Sequence, residues 1–136
     1  MRENTEVSSF TNRERAQQLI DFKGLQFGKC SPTDIDMSMD WQGRTFIFVE
    51  VKGLGKPITL GQKYHLEGLC KGLTRGGKTA YGIVVHHETR ADEDITAHEC
   101  MVDIVYNGYG WEKGEQNQTL GGLLEELYEN HMLENG

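Results

Sequence analysis

Two charged residues that follow a run of apolar ones are the clearest chemical feature of this 136-residue sequence. Glu50 and Lys52 close a segment, residues 44–52, that is rich in β-branched and aromatic residues and typical of a buried central strand. Residues two apart on a strand point to the same face, so the carboxylate and the ammonium group share one side of a sheet. Because such groups are costly to bury without partners, they form either an ion pair with each other or a polar site with further residues.

A second carboxylate comes from the segment just upstream. Residues 36–41 alternate between polar and apolar side chains, and Gln42-Gly43 is a turn signal, so this segment and the central strand should form a hairpin. Asp36 opens the alternating segment. Carboxylates that converge from neighbouring strands make an oxygen-ligand site for Mg²⁺ or Mn²⁺, and the carbonyl of Val51 can complete the ligand set.

Which aspartate contributes depends on the hairpin register. Asp34 and Asp36 have the same strand parity, so side-chain direction does not choose between them. A two-residue turn would place Asp36 opposite Val49, and a bulge or a three-residue loop is needed to bring it opposite Glu50. We prefer Asp36 to Asp34, because it opens the alternating run and lies 14 residues before Glu50.

Pro32-Thr-Asp-Ile-Asp36 followed by Glu50-Val-Lys52 resembles the PD-(D/E)XK nuclease superfamily, above all its small phage-type nucleases and Holliday junction resolvases. The likeness covers about residues 12–86. It implies a metal-dependent DNA phosphodiesterase, an endonuclease for which branched or recombination DNA is one candidate substrate; the form of the substrate, and endonuclease versus exonuclease action, stay open. Asp36 and Glu50 would hold the metal, and Lys52 would position or activate the attacking water. The family's aspartate usually follows its proline directly, whereas Thr33 intervenes here, which keeps Asp34 as the alternative to Asp36.

The resemblance also implies roles for residues outside the short motif. Many members add a glutamate from their first helix as a metal ligand, and Glu14 matches it, although an acid in a first helical turn is also favoured by the helix dipole. Gln62 resembles a glutamine that some relatives place near the site. The expected cofactor is Mg²⁺ or Mn²⁺ with no organic cofactor. The alternative function is a catalytically silent nucleic-acid- or protein-binding module on the same fold.

The charge distribution bears on the expected partner. The net charge is −7, but residues 52–78 carry six basic residues against Glu67, whereas residues 79–136 carry a net charge of −10. A basic segment is what contact with DNA phosphates requires. Four of its residues are expected to bind DNA: Lys56, Lys63, Lys71 and Arg75. Junction resolvases act as dimers because two symmetric cuts need two sites, so a homodimer is a further expectation left open by the resemblance.

Length and hydropathy set the class of protein. A chain of this size favours one nuclease-like domain over residues 1–136, with a flexible start at residues 1–10. No apolar run approaches the roughly 20 residues that span a bilayer, so no membrane partner is expected. The N-terminal segment lacks the apolar core of a secretion signal, which favours a cytoplasmic protein.

The cysteines and histidines offer a weaker second interpretation. Three widely spaced cysteines argue against a disulfide framework. His98 and Cys100, with His86 or His87, could form a metal site, but scattered polar residues at the end of a strand are the favoured interpretation.

The remaining elements predict an α/β fold with a restriction-endonuclease-like core, in which a mixed sheet is flanked by helices in the order αβββαβ. Thr59 is the expected cap of the helix that follows the central strand, and this strand–helix–strand step should be a parallel crossover. The predicted helices span about residues 12–24, 60–75 and 120–132, and the strands about residues 25–29, 36–41, 44–52, 80–86, 100–106 and 109–111.

Overall fold

A computed structural model describes residues 19–135 of the chain. The chain divides into two compact units, Met1–Pro32 and Thr33–Gly136. In the described part of the first unit, residues 19–32 contain only two turns and an isolated bridge between Phe27 and Cys30. The strand predicted at residues 25–29 is therefore wrong.

The predicted first helix falls mostly on residues that are not described, which also include the expected flexible start at residues 1–10. Its described end, residues 19–24, is not helical. Short helices depend on packing an apolar face, and Leu19 and Ile20 are 94% and 78% exposed.

The second unit is built on a five-stranded mixed sheet in the order β1-β2-β3-β4-β5. The β2 and β3 strands are parallel, and every other neighbouring pair is antiparallel. The mixed α/β class is confirmed, but two strands, not three, precede the first described helix. The strands are β1 (Met37–Trp41), β2 (Thr45–Gly53), β3 (Thr79–His87), β4 (Met101–Tyr106) and β5 (Trp111–Lys113).

Two helices complete this unit. The first, α1 (Leu60–Arg75), connects the parallel strands β2 and β3, as the predicted crossover requires, and begins at the expected cap Thr59. The second, α2 (Leu120–Asn135), follows β5, and a short 3₁₀ helix, Ala97–Glu99, precedes β4. Within residues 19–135, no helix is long and apolar enough to cross a membrane.

The two faces of the sheet carry different helices. On one face, Ile47 and Val49 of β2 join a core cluster with α2 residues such as Leu123. On the other face, β3 passes beneath α1, where a Cβ atom on Gly82 would lie 3.3 Å from the Cβ atom of Leu66. Even-numbered residues of β2 face α1, so Glu50 and Lys52 lie on the side of the sheet that carries this helix.

Candidate metal centre and active site

The hairpin loop settles the register on which the choice of aspartate depended. Strand β1 ends at Trp41 and β2 begins at Thr45, so the loop is three residues long. Its residues Gln42 and Gly43 both have positive φ, at 60° and 67°, and the Arg44 N–H donates to the Trp41 carbonyl at 3.0 Å. The three-residue loop that the hairpin needed is present.

This loop brings Asp36 next to Glu50. Met37 is paired with Val49, so one further step along the hairpin puts Asp36 opposite Glu50. The Val51 backbone N–H donates to Asp36 Oδ2 at 2.8 Å, which holds the carboxylate at the end of β1 beside the central strand. The Val51 side chain packs against the core cluster on the opposite face of the sheet.

Glu50 is a buried carboxylate in a polar environment. It is only 3% exposed, and its pKa is raised to about 7, first because burial disfavours the charged form. The charge of Asp36 and a hydrogen bond between the two carboxyl groups raise this pKa further, while Lys52 lowers it and Asp34 raises it more weakly than the other groups. The electrostatic coupling of Glu50 is therefore stronger with Asp36 than with Asp34.

Lys52 does not pair directly with Glu50. The two side chains share a face of β2, and Lys52 favours the charged form of Glu50. However, the ion pairs within 4.0 Å in residues 19–135 are His86–Asp103 and Arg90–Asp92, so the simple Glu50–Lys52 pair is absent there. The half-buried ammonium group is left for another partner.

Gln62 links the start of α1 to the buried carboxylate. Its Oε1 atom accepts from the Thr59 backbone N–H at 3.2 Å, in a reciprocal capping box at the helix N-terminus. Its Nε2 atom donates to Glu50 Oε1 at 3.3 Å. Because Oε1 is held by the cap, the amide is oriented with its donor towards Glu50.

The donor set fits a hard divalent cation. Asp36 and Glu50 supply oxygen ligands, and burial and the charge of Asp36 raise the pKa of Glu50 more than the charge of Lys52 lowers it, so a bound cation would stabilise the charged carboxylate. Among the described residues, no group of three or more His, Cys, Asp or Glu side chains could hold a metal ion. Mg²⁺ is commonly bound by one or two carboxylates together with water and substrate phosphates, so two carboxylates suit it, whereas a closed zinc site would need more. The predicted ligand Glu14 lies outside the described residues.

His86 lies next to the carboxylate site, whereas the sequence indicates it only as a possible ligand of a separate His/Cys metal site. It is aligned with Lys52 across the parallel β2–β3 pair, and its Nδ1 atom lies 2.7 Å from Asp103 Oδ1. The β3–β4 register shifts between Val84 and Val85, which gives β4 one extra residue at Asp103. No sequence signal indicates this pair, because it depends on both the strand order and the irregular register.

The four predicted DNA-binding residues are not gathered around Glu50. Lys56 is exposed in the loop after β2, close to Gly53. The Lys63 Nζ atom lies 5.5 Å from the ring centroid of Trp111, on β5. Lys71 and Arg75 are exposed in the second half of α1 and line a different cavity.

Comparisons of the chain with models of protein families, with curated proteins and with solved structures found no match. The chemistry of the site therefore follows from its own residues and their geometry.

Proposed function

We propose that this chain is a metal-dependent DNA phosphodiesterase on a restriction-endonuclease-like core of the PD-(D/E)XK type. The observation that carries the proposal is the buried Glu50 carboxylate, which lies beside Asp36 with its pKa raised to about 7 and with Lys52 on the same face. A buried carboxyl group beside an exposed one and a half-buried lysine is a costly arrangement for a purely structural role. Carboxyl groups whose pKa is shifted in this way are concentrated at functional sites.

In this proposal Asp36 and Glu50 hold one Mg²⁺ or Mn²⁺ ion, with the Val51 carbonyl as a further ligand. Asp34 is the alternative to Asp36. When bound, such an ion would offset the charge of the scissile phosphate and lower the pKa of the attacking water.

Lys52 contributes a positive charge and a hydrogen-bond donor on the same face as the carboxylates. Within residues 19–135 no carboxylate lies within 4.0 Å of the Lys52 ammonium group, which is therefore available to orient the attacking water and to offset charge that grows on the phosphate. Gln62 is a positioning residue, because it acts through the Glu50 oxygen that it contacts.

The substrate expected from the motif is DNA, cut internally and in a branched or recombination form. Lys56 is the predicted DNA-binding residue placed just after β2, the strand that carries the site. A homodimer would supply two sites for two symmetric cuts.

Cleavage assays with matched variants test the proposal. Single-stranded, duplex, flapped and four-way DNA should be incubated with Mg²⁺ or Mn²⁺, and the wild-type chain should cut at least one form. Glu50→Gln and Lys52→Ala should each lower the rate by about 100-fold or more while the fold is retained. Lys78→Ala, at an exposed position before β3, is the control. Full activity in either site variant would refute the assignment.

One observation favours a second candidate, a catalytically silent binding module on the same fold. Only two carboxylates converge in the described residues, and no larger ligand group occurs there. The two candidates differ in metal affinity: millimolar Mn²⁺ should raise the melting temperature of the nuclease and leave that of a silent module unchanged.

A further inference from the structure

A cavity lies apart from the carboxylate site. Its volume is about 250 Å³, and it is formed by one end of α1 and by the β4–β5 turn. Gln62, at the carboxylate site, and Thr74, in this cavity, are 12 positions apart on the helix, which corresponds to about 18 Å along its axis. The lining residues are Lys71, Thr74, Arg75, Tyr106, Gly108 and Tyr109.

Tyr106 is the buried side chain of this cavity. It is 2% exposed, and its hydroxyl group has no hydrogen-bond partner among the described residues. Within residues 19–135, no other buried side-chain nitrogen or oxygen atom is left without a partner. Because a buried hydroxyl group without a partner lowers stability, a polar group that entered the cavity and reached this atom would complete its hydrogen bonding.

Tyr109 presents an aromatic ring at the mouth of the same cavity. Its side chain is 83% exposed, yet its backbone is fixed, since the Tyr109 N–H donates to Asn107 Oδ1 at 2.9 Å. Gly108 has a φ of +96°, and a Cβ atom there would lie 2.6 Å from Thr74 Oγ1. The turn therefore approaches α1 closely and holds the exposed ring beside the cavity.

The rim of the cavity is positive although the chain as a whole is acidic. Lys71 and Arg75 are exposed one turn apart on α1. The one acidic residue of α1, Glu67, is already engaged, because Trp111 Nε1 donates to its Oε2 atom at 2.6 Å. An exposed aromatic ring beside paired cations is the combination that binds single-stranded nucleic acids.

We infer that this cavity binds one unpaired nucleotide of a DNA strand. The base stacks on Tyr109 and reaches the Tyr106 hydroxyl group with its polar edge, and the phosphate contacts Lys71 and Arg75. That the nucleotide belongs to a DNA strand rests on the proposed nuclease function. At 3.4 Å per stacked nucleotide, the 18 Å to the carboxylate site corresponds to about five nucleotides, so the substrate would carry a single-stranded segment near the cut.

Binding measurements in EDTA test this site without cleavage. Fluorescence anisotropy with a labelled thymidine oligonucleotide of about 12 residues should give an affinity that Tyr109→Ala lowers by about 5- to 100-fold, because base–aromatic stacking is lost. Tyr106→Phe should lower it by about 2- to 10-fold without lowering the melting temperature, since the hydroxyl group has no partner in the part of the chain that the structure describes. Tyr64→Ala, which removes a tyrosine that is 63% exposed on α1, is the matched control and should bind like the wild type.

The outcomes separate this inference from the proposed nuclease function. If Tyr109→Ala and Tyr106→Phe bind the oligonucleotide as tightly as Tyr64→Ala, the nucleotide site is refuted whether or not the chain cuts DNA. If they weaken binding and the wild type never cuts DNA, the nucleotide site stands and the nuclease function fails. Competition by thymidine monophosphate tests whether the cavity binds a free nucleotide instead of a nucleotide within a strand. If the monophosphate competes as well as the oligonucleotide does, the cavity binds a free nucleotide and the strand-binding inference is overturned.

Discussion

Removing the charge of Glu50 should stabilise the metal-free protein above neutral pH. In Glu50→Gln the amide has nearly the same shape as the carboxylate, and its carbonyl oxygen can still accept from Gln62 Nε2. The substitution removes the buried charge and its repulsion with Asp36, which together raise the pKa of the glutamate. An ordinary structural glutamate with a good partner would respond in the opposite way, by losing stability.

The expected size follows from the pKa. A rise from 4.5 to about 7 corresponds to about 3 kcal/mol, at roughly 1.4 kcal/mol for each pH unit. Between these pH values the folded chain binds more protons than the unfolded chain, so its free energy of unfolding falls as the pH rises through this window. The penalty is absent below about pH 4.5 and complete above about pH 7. The gain in Glu50→Gln therefore has an upper limit of about 3 kcal/mol at pH 8, which is about 10 °C in melting temperature for a domain of this size.

Urea unfolding in EDTA at pH 4.5 and at pH 8 measures this effect. The wild type, Glu50→Gln and the control Glu126→Gln, at an exposed position of α2, should be compared at both pH values. Only Glu50→Gln should gain stability selectively at pH 8. A loss of stability at pH 8, or a gain of equal size at both pH values, would show that Glu50 carries no destabilising buried charge. The main electrostatic argument for the site would then fail.

Three further predictions concern the ligands and the elements that hold them. Millimolar Mn²⁺ should raise the melting temperature of the wild type, and Asp36→Asn should abolish most of this shift in a thermal scan, whereas Asp34→Asn should keep it; the reverse result would transfer the ligand role to Asp34. Thr59→Ala should lower the free energy of unfolding by about 0.5 to 2 kcal/mol through loss of the helix cap, and an unchanged urea midpoint would contradict the capping box. Gly108→Ala should destabilise the chain by about 1 to 3 kcal/mol, because of its positive φ and the contact with Thr74 Oγ1, and unchanged thermal unfolding would show that the turn can move away from α1.

The features that the sequence predicts well depend on patterns within a few neighbouring residues. Thr59 is predicted as a helix cap, and α1 begins directly after it, whereas its capping-box partner Gln62 is indicated only through the family resemblance. The alternating residues of β1 and the apolar residues of β2 mark a hairpin, and strand parity alone places Glu50 and Lys52 on one face. These signals act over a few residues and need no knowledge of the sheet order.

The features that it missed depend on contacts between distant segments. The His86–Asp103 pair requires an extra residue in β4, and the environment of Tyr106 requires the close approach of Gly108 to α1. The prediction of a helix at residues 19–24 is wrong for a related reason: Leu19 has helical spacing but remains exposed. Periodicity shows which face is apolar and does not show whether another element covers it.

Gln62 is subject to two chemical demands at once. The helix cap needs an acceptor from this side chain, and Glu50, when charged, needs a donor. A primary amide of this length meets both demands with its two ends. Glutamate at position 62 would keep the acceptor but place a third negative charge against Glu50, and leucine would meet neither demand. Helix initiation and the carboxylate site therefore both restrict which residues can occupy position 62. In a mutational scan, few replacements at this position should be tolerated, even though the side chain is only half-buried.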